Sequence, residues 1–177
     1  ANRALVCAAL SQGESVIQNI PDGDDTSAML DALRAMGLSC QVTKNQVTVI
    51  GGDLGRSDIT LNARLAGTTS RFLTAVAAVR AGITTIDGDD ALRRRPMNDL
   101  HDALRQLGAN IKYSGAHGLL PVTLGPNIVS SGVVSIRGDI SSQFISALMM
   151  IGPVIGGLTI QLTSQLVSRP YVDMTRV

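Results

Sequence analysis

Hydrophobic and polar positions along the chain predict two kinds of helix. Three segments, residues 4–10, 68–79 and 141–150, are apolar on nearly every side, which is typical of helices buried all round. Two other segments are amphipathic. In the first, Met29, Leu30, Leu33 and Met36 form one apolar stripe. In the second, residues 97–107, leucines recur at helical spacing.

The predicted elements recur in the same order along the chain. A buried helix, a strand, an amphipathic helix and a hairpin follow one another twice, and a third copy is incomplete. The segments DALRAMG, from Asp31, and DALRQLG, from Asp102, nearly coincide. We therefore expect an α/β (α+β) fold of repeats at about residues 1–52, 53–125 and 126–177. The incomplete repeat also predicts a piece of a longer protein, or a chain that needs a partner segment.

Equivalent positions in the repeats predict that the three buried helices run parallel. Their N-termini would then emerge on one face, with Arg3, residues 67–71 and residues 141–143. Free N–H groups, the helix dipoles and few carboxylates make such a face suitable for a small anion. For Ser141 and Ser142 alone, plain helix capping is the alternative interpretation.

Composition excludes several classes of function. The 177 residues are 45% hydrophobic and 2% aromatic, with a net charge of +1. This favours a globular core and argues against nucleic acid as a partner, because base stacking and a broad basic face are missing. The apolar stretch 144–158 is broken by Gly152 and Pro153, so no membrane span is predicted. Cys7 and Cys40 indicate buried thiols of a reducing, cytoplasmic compartment.

Several polar groups are better explained by structure than by chemistry. His101 and His117 are predicted to be surface residues, and without partners at ligand spacing they indicate no metal site. Asp24-Asp25 and Asp89-Asp90 precede helices and are expected to act as caps and dipole partners. Arg93-Arg94 is expected in a solvated loop.

Four strings together resemble the 5-enolpyruvylshikimate-3-phosphate synthase family of enolpyruvyl transferases. They are NRAL from Asn2; AGT from Ala66, with Arg71; RP from Arg95, with Asp99 and Asp102; and SSQF from Ser141, with VSRPYVD from Val167. The strings cover nearly the whole chain.

The resemblance implies a two-domain enzyme with the inside-out α/β barrel fold. Each domain would be made of three βαβαββ units around buried parallel helices, and this chain would be most of the first domain. The family transfers the enolpyruvyl group of phosphoenolpyruvate to shikimate 3-phosphate and releases phosphate, without a metal or organic cofactor. The partner implied is the C-terminal domain of the same protein, which would carry the proton-transfer residues.

The resemblance also implies the roles of individual residues. Shikimate 3-phosphate would contact Ser141, Ser142 and Ser168 through its phosphate, Arg3 through its carboxylate and Tyr171 through its ring. Gly67, Thr68 and Arg95 would frame phosphoenolpyruvate, and Gln143 would lie between the substrates. Gln143 and Arg95 would be closest to the reacting centre, although no catalytic residue is assignable in this half.

The herbicide glyphosate would compete for the second subsite, near Gly67 and Phe72. Leu65 departs from the family, many members of which have Asn there. The alternatives are an enolpyruvyl transferase acting on UDP-N-acetylglucosamine and a non-catalytic anion-binding module of the same fold.

Overall fold

A computed structural model describes residues 1–176, and its elements repeat in order along the chain. The first group is α1 (Asn2–Leu10), β1 (Gly13–Gln18), α2 (Asp24–Ala35), β2 (Ser39–Val42) and β3 (Gln46–Gly51). The second is β4 (Ile59–Asn62), α3 (Gly67–Ala78), β5 (Thr84–Asp87), α4 (Asp90–Arg93), α5 (Asn98–Gln106), β6 (Ile111–Tyr113) and β7 (Val122–Leu124). The third is β8 (Gly132–Ile136), α6 (Ser142–Ile151), β9 (Leu158–Leu162) and α7 (Arg169–Arg176).

The three sheets share one topology, but two of them contain only some of its strands. The four-stranded sheet has the order β4-β5-β7-β6, with β4 and β5 parallel and the other neighbours antiparallel. The order β1-β3-β2 corresponds to its last three strands, and the parallel pair β8-β9 corresponds to its first two. Parallel neighbours need a crossover connection, which α3 and α6 provide. The mixed α/β class predicted from the sequence is thereby confirmed.

The helices α1, α3 and α6 pack against one another at the centre of the molecule. Nearly every residue of α3 is buried, and Phe72 and Phe144 are the aromatic side chains of this core. Many of the other core residues on these helices are alanines, which allow helix backbones to approach closely.

The prediction that the first helix is buried all round was wrong. Ala4 and Cys7 of α1 are exposed, while Leu5, Val6, Ala8 and Ala9 are buried. An apolar segment does not reveal which of its sides another element covers, and within residues 1–176 one side of α1 stays open. The prediction of a buried thiol was therefore wrong for Cys7 and is confirmed for Cys40.

The two amphipathic helices have the predicted buried stripes and the same C-terminal cap. In α2 the stripe is Met29, Leu30, Leu33 and Met36, and in α5 it is Leu100, Leu104 and the following Leu107. Gly37 and Gly108 adopt φ angles of 95° and 99° after these helices. At both ends the next amide bonds back to the helix, from Leu38 to the Leu33 carbonyl and from Ala109 to the Leu104 carbonyl, each at 3.1 Å.

The acidic residues near helix starts act differently from the prediction. Asp24, Asp25 and Asp90 lie in first turns, where they can favour the helix dipole. The N-cap positions, however, are Gly23 and Asp89, and neither makes a side-chain cap hydrogen bond. Asp24, Asp25 and Asp90 thus have the predicted positions for dipole partners, while the predicted side-chain caps are not formed, even by Asp89 at its N-cap position.

Arg93 was also predicted incorrectly. It ends the short helix α4 instead of lying in a loop, and it pairs with Asp87 at 2.7 Å.

His101 is buried, so the prediction of a surface histidine was wrong, whereas His117 is exposed as predicted. The Nδ1 atom of His101 lies 3.1 Å from the Tyr113 hydroxyl, which also accepts from Arg105 Nη1 at 3.1 Å. Burial, with Arg105 nearby, lowers the pKa of His101 to about 3. The turn after α5 brings the hairpin that contains β6 over the side of α5 on which His101 lies. The local sequence pattern does not indicate this covering of His101.

Within residues 1–176, none of the helices combines the length and the apolar character that crossing a bilayer requires.

The lowered pKa of His101 predicts a loss of stability on acidification. Between pH 3 and 6.5 the unfolded chain binds a proton that the folded chain excludes, so stability rises with pH in this window. We expect the free energy of unfolding to fall by about 1–2 kcal/mol from pH 7 to pH 5. Urea unfolding at both pH values measures this change. His101→Phe should remove it and His117→Gln should retain it; the same change in both variants would contradict the assignment to His101.

Candidate functional site

The N-termini of α1, α3 and α6 meet on one face. Asn2 Nδ2 donates to Thr69 Oγ1 at 3.0 Å, and Gln143 Nε2 donates to Thr68 Oγ1 at 2.9 Å. The opposite ends also meet, because Leu10, Val79 and Val154, at or just after the ends of these helices, line one small cavity. The three helices therefore run parallel, and the positive ends of their dipoles lie together.

Gly67 begins α3 between two arginines. A Cβ atom built on Gly67 would lie 2.8 Å from Arg95 Nη1 and 3.4 Å from Arg71 Nη1. Any larger residue would have to displace the Arg95 guanidinium. The absence of a Cβ atom at Gly67 thus allows the Arg95 guanidinium, or an anion in its place, to lie against the backbone at the helix N-terminus, beside Arg71.

Arg71 and Thr68 hold Gln143 between them. Arg71 Nη1 donates to Gln143 Oε1, and the Gln143 amide donates to Thr68. A guanidinium can only donate, so the orientation of the Gln143 amide is determined. Arg71 also lies over the Phe144 ring, at 5.4 Å from the centroid. Its burial, and then the nearby charge of Arg95, lower the pKa of Arg71.

The two serines at the start of α6 differ, because Ser141 caps the helix and Ser142 does not. Ser141 Oγ accepts from the Gln143 amide N–H at 3.3 Å, so the capping interpretation is confirmed for Ser141. Its own O–H is still available to donate. Ser142 is buried in the first turn, and no hydrogen bond of its hydroxyl is found within residues 1–176.

Arg3 extends from α1 toward α6 and α7. Its Nε donates to Thr175 Oγ1 at 2.7 Å, and its Nη2 donates to Ser146 Oγ at 3.2 Å. The guanidinium carbon is 5.3 Å from the Phe72 ring centroid and 6.0 Å from that of Tyr171. Burial lowers the pKa of Arg3, and Tyr171 partly opposes this effect. Arg3 and Tyr171 are thus neighbours.

Ser168 is exposed immediately before α7, with a φ of 55°. The segment leading to it is tied to the segment leading to Ser141, because Val167 donates to the Gly138 carbonyl at 3.0 Å. Ser164 Oγ additionally accepts from the amides of Gly138 and Asp139. The structure therefore joins the two serine-bearing loops without a direct bond between Ser168 and Ser141 or Ser142.

The positive charges on this face are not neutralised within the described chain. Arg3, Arg71 and Arg95 form no ion pair among residues 1–176, whereas each of the following arginines pairs with an aspartate: Arg34, Arg64, Arg93, Arg105, Arg137 and Arg169. Arg56, Arg80, Arg94 and Arg176 also lack an ion pair in this part of the chain. Arg3 and Arg71 are partly buried and Arg95 is exposed, and an unpaired guanidinium that is partly buried favours an anionic ligand.

Two hydroxyls expected on this face belong to the core instead. Thr69 and Ser70 are buried, and they donate to the backbone carbonyls of Asp25 and Gly67. On the first turn of α3 only Thr68 remains partly exposed, because the helical period turns its two successors inward.

The sequence interpretation placed Arg71 on the predicted anion-binding face without an individual role, and it gave no site role to Ser146 or Thr175. Arg71 is the one charged residue of an otherwise apolar helix, and Ser146 interrupts an apolar run. Those exceptions to the pattern were the available signals. No comparable signal marks Thr175, since its contacts are with residues 29 and 172 positions away.

The fold and this face define a class of protein: an α/β domain of repeated units whose buried helices present their N-termini, with unpaired arginines, at one surface. The family model for EPSP synthase (3-phosphoshikimate 1-carboxyvinyltransferase) matches residues 1–176. The chain belongs to this family.

Relatives and solved structures agree with the family match. The chain is 40% identical to the 3-phosphoshikimate 1-carboxyvinyltransferase of Ralstonia pickettii and 41% identical to that of Cellvibrio japonicus, over 98% of its length. It spans 42% of the length of each of these relatives. The EPSP synthase structure of Acinetobacter baumannii superposes with a TM-score of 0.83 and 25% identity, covering 97% of this chain and 39% of that one.

The two serines at the start of α6 should differ in their effect on stability. Ser141→Ala removes the cap and should lower the free energy of unfolding by about 1 kcal/mol. Ser142→Ala removes a hydroxyl without a partner in the described chain and should change it by less than about 0.5 kcal/mol. Urea unfolding of both variants measures the difference. A larger loss for Ser142→Ala would show that its hydroxyl is structural.

Proposed function

We propose that the full-length protein carrying this chain transfers the enolpyruvyl group of phosphoenolpyruvate to shikimate 3-phosphate and releases phosphate. The observation that carries the proposal is the surface where three helix N-termini meet Arg3, Arg71 and Arg95, which have no carboxylate partner among residues 1–176. Both substrates are small anions, which this surface suits. Family membership supports the particular reaction.

Shikimate 3-phosphate binds on the side of α6 and α7 in this proposal. Ser141, Ser142 and Ser168 donate their hydroxyls to the phosphate, and the first-turn amides of α6 add the positive end of a helix dipole. Arg3 pairs with the carboxylate, and Tyr171 packs against the ring. The closeness of Arg3 and Tyr171 is consistent with one ring-shaped ligand contacting both.

Phosphoenolpyruvate binds at the start of α3. Gly67 allows the anion to approach the backbone, Thr68 adds a hydroxyl and Arg95 supplies a guanidinium fork. Gln143 lies between the substrates, held by Arg71 and Thr68. Glyphosate, also an anion, would occupy this second subsite.

The chemistry of this half is binding and orientation. Fixed donors hold two anions side by side and offset their mutual repulsion, which favours the encounter of the 5-hydroxyl with the enolpyruvyl carbon. Proton transfer is left to groups of the C-terminal domain, the partner that completes the active site. No metal or organic cofactor is assigned a step. We place the protein in the cytoplasm.

The two alternatives make different demands on this surface. A transferase acting on UDP-N-acetylglucosamine must accommodate a nucleotide sugar, and the relatives' names do not favour it. A non-catalytic module would bind the anions without reaction.

Phosphate release by the full-length protein tests the proposal. We expect release to require both phosphoenolpyruvate and shikimate 3-phosphate, and titration calorimetry to detect shikimate 3-phosphate but much weaker binding of shikimate. Release with UDP-N-acetylglucosamine instead would overturn the assignment. Binding without release would favour the module.

Arg95→Ala should weaken the use of phosphoenolpyruvate. Loss of a charged contact to a bound anion costs about 2–4 kcal/mol, so kcat/KM for phosphoenolpyruvate should fall by roughly 30- to 1,000-fold. Arg94→Ala, at an exposed neighbouring position, is the matched control and should stay within a few-fold of the parent. Equal kinetics for the two variants would remove Arg95 from the site.

A further inference from the structure

Arg3 is held by two neutral hydroxyls from two different helices. Its Nε and Nη2 donate to Thr175 of α7 and Ser146 of α6, at 2.7 and 3.2 Å. Thr175 Oγ1 also lies 2.8 Å from Ser146 Oγ. We call Arg3, Ser146 and Thr175 the hydroxyl clamp. A carboxylate at either position would orient the guanidinium equally well, but it would neutralise the charge. Hydroxyls fix the direction of Arg3 and leave its charge for a ligand.

The hydroxyl protons of the clamp have acceptors within the clamp and on the backbone of Tyr171. Arg3 can only donate, so both hydroxyl oxygens accept from it and their protons must point elsewhere. The Tyr171 carbonyl lies 3.0 Å from Thr175 Oγ1 and 3.5 Å from Ser146 Oγ, so it can accept from either hydroxyl, and Thr175 can also donate to Ser146 Oγ. The clamp therefore ends on the backbone of Tyr171, a residue of the proposed substrate site.

The clamp satisfies the buried hydroxyl of Ser146 and helps to hold α7 in place. Ser146 is completely buried in the middle of α6, where an unpaired hydroxyl would be unfavourable. The helix α7 has no buried residue among those described, and Val172 is the side chain it packs against the core. With little apolar burial of its own, α7 depends on polar contacts for its exact placement on α6. The bonds that Thr175 forms with Arg3 and Ser146 supply such contacts.

We propose that Ser146 and Thr175 are positioning residues of the substrate site, which set the direction of the Arg3 guanidinium and the placement of Tyr171 together. The inference rests on the proposed function in assigning shikimate 3-phosphate to Arg3 and Tyr171. Two of the five N–H groups of Arg3 are used by the clamp. Its Nη1 forms no hydrogen bond within residues 1–176 and stays available for a carboxylate of the ligand.

Thr175→Val in the full-length protein removes the hydroxyl at nearly constant volume. Arg3 must then be immobilised when the ligand binds, so the Kd for shikimate 3-phosphate should rise roughly tenfold. The KM for phosphoenolpyruvate should stay within a few-fold of the parent. Thr175→Ser keeps the hydroxyl and should restore affinity. An unchanged Kd for Thr175→Val, or a Thr175→Ser variant as weak as Thr175→Val, would overturn the proposal.

A double-mutant cycle separates positioning from general loss of structure. If Thr175 acts mainly through Arg3, Thr175→Val should raise the Kd clearly less in an Arg3→Met background than in the parent, with only the part due to Tyr171 remaining. An equal effect in both backgrounds would overturn the proposal. Where Thr175→Val does not fold, Ser146→Ala takes its place in the cycle.

A ligand-free measurement distinguishes failure of the clamp from failure of the proposed function. In the full-length protein with ¹⁵N-labelled arginine, the Arg3 Nε–H should exchange with solvent at least several-fold faster in Thr175→Val than in the parent, because a hydrogen bond protects it. Equal exchange rates would overturn the clamp whatever the ligand is. Faster exchange in the variant, with no binding of shikimate 3-phosphate by the parent, would retain the clamp as an ordering device and overturn its assignment to this substrate.

Discussion

The constraint on which the rest of the structure depends is the parallel packing of α1, α3 and α6. Two of these helices connect parallel strands, β4 to β5 and β8 to β9, so their direction follows from the sheet topology. Parallel helices place the positive ends of their dipoles side by side, an arrangement that is unfavourable without negative charge nearby. Among the residues that the structure describes, no carboxylate forms an ion pair with Arg3, Arg71 or Arg95 at this surface.

Orientation without neutralisation is the common feature of the polar contacts at this surface. Arg71 donates to the amide of Gln143 and stacks on Phe144, while Arg3 donates to hydroxyls and stacks on Phe72. Neutral acceptors and aromatic faces hold a guanidinium in place and leave its net charge unchanged. Six arginines elsewhere pair with aspartates instead, as Arg64 and Arg137 do on the exposed surface, where such pairs contribute little.

The two sides of the proposed site differ in how firmly they are supported. Gly67 and Thr68 begin α3, a helix that is buried almost completely. The phosphoenolpyruvate side of the proposed site is therefore held in place by core packing. Tyr171 belongs to α7, which has no buried residue among those described. Polar bonds rather than apolar packing therefore set the position of Tyr171, whereas Ser141 and Ser142 begin the buried helix α6.

The sequence by itself determined the repeats, the amphipathic stripes and the cap at Ser141, because periodicity and capping are local properties of the chain. The roles predicted for Arg95, Ser168 and Tyr171 came instead from the resemblance of short strings to a known family. Only the tertiary structure decided which side of α1 is open, that His101 is buried and that Arg71 and Thr175 face site residues. These facts arise between residues far apart in sequence, such as Arg3 and Thr175. A local pattern carries no information about which distant side chain covers or binds a given position.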